Sequence, residues 1–121
     1  MAADWTMKRG DRLPSIRAQL STKNGPVDLT SAVSVLFVMV GVNGVAKTVQ
    51  GAATIVIDPA ATPALTAASG VVQYNWAVGD TTVVGDYEAE WEVMWPGNKA
   101  ETFPQETVHT ISVVSDRGGV A

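Results

Sequence analysis

Residues 71–94 read VVQYNWAVGDTTVVGDYEAEWEVM. The stretch opens with Val72, Tyr74 and Trp76 at every second position, breaks at Gly79-Asp80-Thr81, and turns again at Gly85-Asp86. Alternation then resumes, with Tyr87, Ala89, Trp91 and Val93 on one side and Asp86, Glu88, Glu90 and Glu92 on the other. Successive side chains of an extended chain point to opposite faces. A period of two therefore predicts a strand with one face buried and one in water.

Outward from that stretch, the pattern is short β segments separated by turn residues, with no convincing helical period. Residues 14–20 alternate, with Ile16, Ala18 and Leu20 facing in. Lys23-Asn24-Gly25-Pro26 is a turn cluster, and residues 28–32 have room for one helical turn capped by Asp28 or Thr30. Residues 33–42 are the most apolar strand. Asn43-Gly44 after them predicts a tight hairpin, because this pair accepts positive φ. Residues 45–49 return, Gly51 breaks the run, and residues 53–57 form the next strand. Residues 58–69, with Pro59 and Pro63, read as a crossing loop with room for one helical turn around residues 63–68. Pro96-Gly97-Asn98 turns the chain into a strand over 99–103, and residues 108–114 are the last strand.

Short strands at this spacing predict an all-β fold, an antiparallel β-sandwich of about 7–9 strands, with a small barrel as the competing closure. Gly85-x-Tyr87 resembles the tyrosine corner of immunoglobulin-like sandwiches, in which a Tyr near a strand start hydrogen-bonds back to the preceding loop. Asp80, Gly85 and Tyr87 are the expected corner residues. The expected division is an extended N-terminal basic arm over 1–12, an immunoglobulin-like sandwich over 13–115 and a C-terminal tail over 116–121.

A chain of 121 residues with 46% apolar side chains is long enough to build one real core. The absence of cysteine removes disulfides, thiolate metal sites and thiol catalysis, and suits a reducing cytoplasm. No secretory signal is visible, and the longest apolar run is far shorter than the roughly 20 residues of a membrane helix, so the chain reads as soluble. Its net charge of −4 is unevenly spread: residues 1–23 carry +3 and residues 24–121 carry −7. A basic arm on an acidic body is poorly suited to binding nucleic acid along a face. It suits contact between copies, arm to neighbouring body, with a solvated tail as the plainer alternative.

The row Asp86, Glu88, Glu90 and Glu92 places carboxylates about 6.5–7 Å apart, near the separation of paired glycosidase carboxylates. Without a cleft and a raised pKa, such a row is a solvated face or a docking stripe for basic side chains. Arg9, Arg12 or Arg17 of a neighbouring copy are the expected partners of the row, and Lys8 is expected with Arg9 and Arg12 in the arm that engages a neighbour. Trp5 is the expected anchor of the arm. His109 is the only histidine and reads as a surface residue on the last strand. No second imidazole or cysteine stands beside it to build a zinc site. Around Gly44 to Thr48, the position before Lys47 is Ala46 where a phosphate-binding loop needs Gly, and no helix follows. No catalytic residue, metal site or cofactor is expected. Trp76 and Trp91 fall at strand period on apolar faces and are expected in the core, with Trp95 at a loop rim.

Four motifs carry a family resemblance. They are Gly10-Asp11-Arg12-Leu13-Pro14, then Gly25-Pro26-Val27-Asp28-Leu29-Thr30-Ser31-Ala32, then Tyr74-x-Trp76-x-x-x-Asp80-Thr81, and last Gly85-x-Tyr87-x-Ala89-Glu90-Trp91. Together the chain resembles the immunoglobulin-like N-terminal domain of the bacteriophage baseplate upper protein family. The resemblance implies a non-enzymatic virion component, assembled in the host cytoplasm and docked in several copies onto a tail or baseplate hub. Family members commonly continue into a coiled-coil or receptor-binding section, whereas here the chain ends soon after the last strand. That departure points to an adaptor, or to a capsid decoration or head–tail connector protein on the same fold. A carbohydrate-binding module, adhering to host glycans through an exposed coplanar pair of aromatics, is the reading from another class. The expected partners are other virion proteins and copies of the same chain, with neither nucleic acid nor membrane.

Overall fold

A computed structural model describes residues 3–104 and 108–115. Ten strands run in chain order: β1 (Trp5–Lys8), β2 (Ile16–Gln19), β3 (Ser21–Thr22), β4 (Gly25–Pro26), β5 (Ser34–Gly41), β6 (Thr48–Ile55), β7 (Val71–Tyr74), β8 (Gly85–Trp95), β9 (Lys99–Phe103) and β10 (His109–Val114). The helical content among the described residues is one 3₁₀ turn, Ala67–Ser69, closed by Gly70 at φ 73°. β3 and β4 form a two-stranded hairpin. The other eight strands form one curled sheet in the order β1-β10-β8-β5-β6-β7-β2, and β9 pairs with β8 beyond the end of β10.

β6 makes the curl. Its residues 48–53 pair with β5, while Thr54 and Ile55 pair with β7. The sheet therefore folds back on itself through one bent strand, and rings from its two halves meet inside. Phe37 on β5 stacks on Tyr74 of β7 with centroids 4.6 Å apart and planes 17° from parallel. Gly51 on β6 permits this. It lies directly across from Phe37, and a Cβ there would sit 2.5 Å from Cε1 of Tyr74. The bare glycine is covered by a neighbouring aromatic ring, a device that restores packing where a strand lacks a side chain. Phe37 also packs against Trp91 and Trp76, at 4.9 and 5.7 Å. Each such buried apolar side chain stabilises the fold by about 1.5–3 kcal/mol.

The expected period of two on β8 is present residue by residue. Tyr87, Ala89, Trp91 and Val93 are buried, and the four carboxylates alternate with them on the outer face. The Asn43-Gly44 turn takes positive φ at both positions, 56° and 89°, and its closing bond runs from Val45 N to Val42 O at 3.2 Å. Residues 48–55 are a single strand through Gly51, where the sequence suggested a break. Near Asp28 there is a local turn in place of a helical one, with Asp28 Oδ1 accepting from Thr30 N and Oγ1.

Two expectations are corrected. The sheet is mixed, because β1 runs parallel to β10 in the register Trp5↔Ile111 and Met7↔Val113. The N-terminal segment is accordingly an edge strand within the sheet, and it does not extend away as an arm. The physical reason lies in its own alternation: Trp5 and Met7 face in and Thr6 and Lys8 face out. Met7 is 5% exposed within the core. Asp4 starts the pairing, its N donating to Thr110 Oγ1 and its Oδ2 accepting from Thr110 N, both at 3.0 Å. The donation from Arg9 N to Val114 O at 2.8 Å ends it. Without β1, the outer edge of β10 would present unpaired backbone groups to other chains. The expected tail over 116–121 lies outside the described residues.

Candidate functional site

The corner follows in the chain on a joint between two loops. Gly85 begins β8 at φ 152°, and two residues later the Tyr87 hydroxyl donates to the Val83 carbonyl at 2.5 Å. Tyr87 is 1% exposed, and burial pushes its ionisation above the usual phenol range. Asp80 does a separate task. One of its carboxylate oxygens accepts from the Tyr74 hydroxyl at 2.5 Å and from Ala77 N at 2.8 Å. Burial first, and then the neighbouring Asp80 carboxylate, push the Tyr74 phenol up.

The loop over 76–81 is in turn fastened to the segment over 10–14. Gly10 N donates to Thr81 O at 2.9 Å, and Thr81 Oγ1 donates to Asp11 O at 2.7 Å. Arg12 Nε donates to Trp76 O, and Trp76 Nε1 donates to Pro14 O, each at 3.1 Å. Thr81 is the buried polar residue of this joint, at 2% exposure. Four bonds make one double loop at the end of the sheet, and its tip presents Leu13 and Val78, 77% and 82% exposed.

The residues expected to meet at an interface are distributed over different surfaces. Trp5 turns inward and meets His109 edge to face, with centroids 4.8 Å apart. His109 is thus half-buried, contrary to its reading as a surface residue. Burial lowers its pKa, with Asp4 opposing. Arg17 lies on the outer face of β2, where Nε and Nη2 both donate to Gln73 Oε1 at 3.0 and 2.7 Å. Gln73 continues to Asn75 Oδ1, which also accepts from Ser15. Lys8 and Arg12 are exposed at the end of the sheet that bears the double loop, and Arg9 is half-buried there.

Asp86 and Glu88 are exposed, and Glu90 and Glu92 are half-buried, on the outer face of β8. Their neighbours on β5 are apolar: Glu88 is opposite Val40, Glu90 opposite Val38, and Glu92 opposite Leu36. A shallow concavity of about 300 Å³ lies at the upper end of the row, lined by Val42, Asn43, Asp86, Glu88, Thr110 and Ser112. No hydrogen-bond or ion-pair partner holds any of these four carboxylates among the described residues. The row stands on an open sheet face, which lacks the enclosure that raises one carboxyl of a glycosidase pair. Among the described residues no group of three or more His, Asp or Glu is placed to hold a metal ion.

Sequence reasoning named Asp80, Gly85 and Tyr87, and missed Tyr74 as the partner of Asp80 and Thr81 as the partner of Gly10 and Asp11. Both stand within the motif Tyr74-x-Trp76-x-x-x-Asp80-Thr81, whose spacing alone carries no sign of these hydrogen bonds. A search of family models and of curated proteins returns no match.

Proposed function

We propose that this chain is a non-enzymatic structural protein of a bacteriophage virion, a tail or baseplate adaptor on an immunoglobulin-like sandwich. The observation that carries the reading is the convergence of the resembling motifs. Gly10 to Pro14 and Tyr74 to Thr81 are far apart in sequence, yet they supply the two sides of one joint, and the Gly85 to Tyr87 corner follows next in the chain, closed on Val83. Those residues are bound up in holding loops together, so the resemblance is one of architecture, with no reaction attached. The sandwich reading is further supported by the way Phe37 and Tyr74 meet from opposite halves of the curled sheet.

The competing carbohydrate reading requires a pair of bare coplanar rings. Trp76 and Trp91 are 2% and 0% exposed. Trp5 packs on His109, and Trp95 is half-buried and donates to Glu101. That leaves no stacking platform among the described residues.

The test is to purify virions from a lysate whose phage encodes the chain, identify their proteins by peptide mass spectrometry, and image them with gold-labelled antibody against it. Gold at one end of the tail is the expected result. Gold spread over the head lattice would replace the adaptor by a capsid decoration protein. Absence of the chain from purified virions would overturn the virion reading altogether.

A further inference from the structure

The acidic and aliphatic rows on the outer sheet face have a chemical complement elsewhere on the same molecule. The face offers Glu88 and Glu90, without partners among the described residues, beside Val38 and Val40, and Val40 is 44% exposed. The end of the sheet offers the reverse: exposed Lys8 and Arg12 around the bare aliphatic tip of Leu13 and Val78. Of the carboxylates at that end, Asp80 is occupied by Tyr74 and Ala77, and exposed Asp11 lies between Lys8 and Arg12, where it offsets one of the cations. Both surfaces are rigid before any contact, one being a sheet and the other a double loop held by four hydrogen bonds. Contact between them thus carries little ordering cost.

We infer that the basic, aliphatic tip of one copy docks against the acidic, aliphatic face of β5 and β8 on a second copy of this chain. This deepens the virion reading by naming the self-contact through which copies would array. The charge asymmetry of the sequence, +3 over residues 1–23 against −7 over the rest, has the sign this contact needs, although Arg17 on β2 and Lys23 in the β3–β4 turn belong to that count and not to the tip. Tip and face lie on different parts of the molecule, so the contact is head to side. Such a heterologous interface leaves a free tip and a free face on every pair, and it propagates into a ring if the rotation closes. Apolar burial supplies attraction, while the charges set orientation and make association sensitive to salt.

The test uses the purified full chain and two variants. One disables the tip (Leu13→Glu with Val78→Glu), and the other disables the face (Val40→Lys with Glu88→Lys). All four positions are exposed. Circular dichroism checks that each variant folds, and Lys8→Glu and Glu90→Lys serve as single-site replacements if either does not.

By sedimentation velocity at low ionic strength, the wild-type chain is expected to gain mass with concentration and to lose that gain at high salt. Each variant alone is expected to stay at the monomer mass of 12.7 kDa. Their equimolar mixture is expected to reach twice that mass and stop, because one intact tip meets one intact face. A wild-type chain that stays monomeric, or a mixture that does not pair, overturns the contact. If virions nevertheless contain the chain, the virion reading stands without it.

Discussion

Tyr87 and Tyr74 bury the same side chain type and spend the hydroxyl differently. Tyr87 donates to a backbone carbonyl four residues upstream, so its bond fixes the angle at which the chain enters β8. Val83 is 42% exposed, so a freed carbonyl there can find water, and Tyr87→Phe should cost only about 0.5–1.5 kcal/mol. Chemical denaturation measures this, and an unchanged midpoint would remove the corner bond from the account of stability. Tyr74 donates to a carboxylate, which changes its pH dependence. Its ionisation lies above the ordinary value of 10.0, mainly through burial and then through Asp80. An unfolded chain loses the phenolic proton near pH 10 while the folded chain keeps it. The native state then holds more protons, and stability falls as pH rises from there through the raised folded value. Below about pH 10 the contribution is intact. Tyr74→Phe should therefore lower stability at neutral pH and flatten its decline between about pH 9 and pH 11. Some slope will remain, since burial raises Tyr87 as well. A decline as steep as wild type would mean that Tyr74 is not its source.

β6 and β1 show what an element's own sequence can and cannot reveal. The strand β8 was legible because eight of its residues, 86–93, repeat one alternation and no helix or loop places side chains that way. The turn at Asn43-Gly44 was legible because few residue pairs tolerate two positive φ angles. β1 was not legible. Its four residues are too few for a period, its cations suggested a solvated arm, and its partner strand lies 106 residues away. Gly51 misled for a related reason. Read locally, a glycine weakens a strand, but the ring that covers it comes from Tyr74 and is visible only in three dimensions. The candidate surfaces divide in the same way: the acidic row could be read from period alone, whereas its aliphatic flank depends on the register of β5. Gly51→Ala should accordingly destabilise by about 1–3 kcal/mol, the cost of overpacking a filled site, since its Cβ would meet both Cε1 and Oη of Tyr74, at 2.5 and 2.9 Å. In a Tyr74→Ala background the same substitution should cost much less, because the obstructing ring is gone. Equal costs in the two backgrounds, read from thermal or chemical melts, would separate Gly51 from the Phe37–Tyr74 stack.

For the molecule as a whole, the parallel pairing of its first and last strands sets the order in which the fold can be completed. β5, β6 and β8 can pair through antiparallel neighbours, and their rings already form the centre of the core. β1 has nowhere to dock until β10 lies against β8, since its partners there are Ile111 to Val114. Closing so long a loop is entropically costly and is repaid late, so all-β folds of this kind refold on a scale of about milliseconds to seconds. The contacts of Met7 should then form after the transition state. Met7 is 5% exposed, and Met7→Ala should cost about 2–5 kcal/mol at equilibrium. Most of that loss is expected as faster unfolding, with the refolding rate little changed, because a residue outside the nucleus acts on the unfolding step. Chevron plots of wild type and Met7→Ala distinguish the cases. If refolding slows by the full equilibrium effect, the N-terminal strand belongs to the nucleus, and its docking comes before the closure of the sheet.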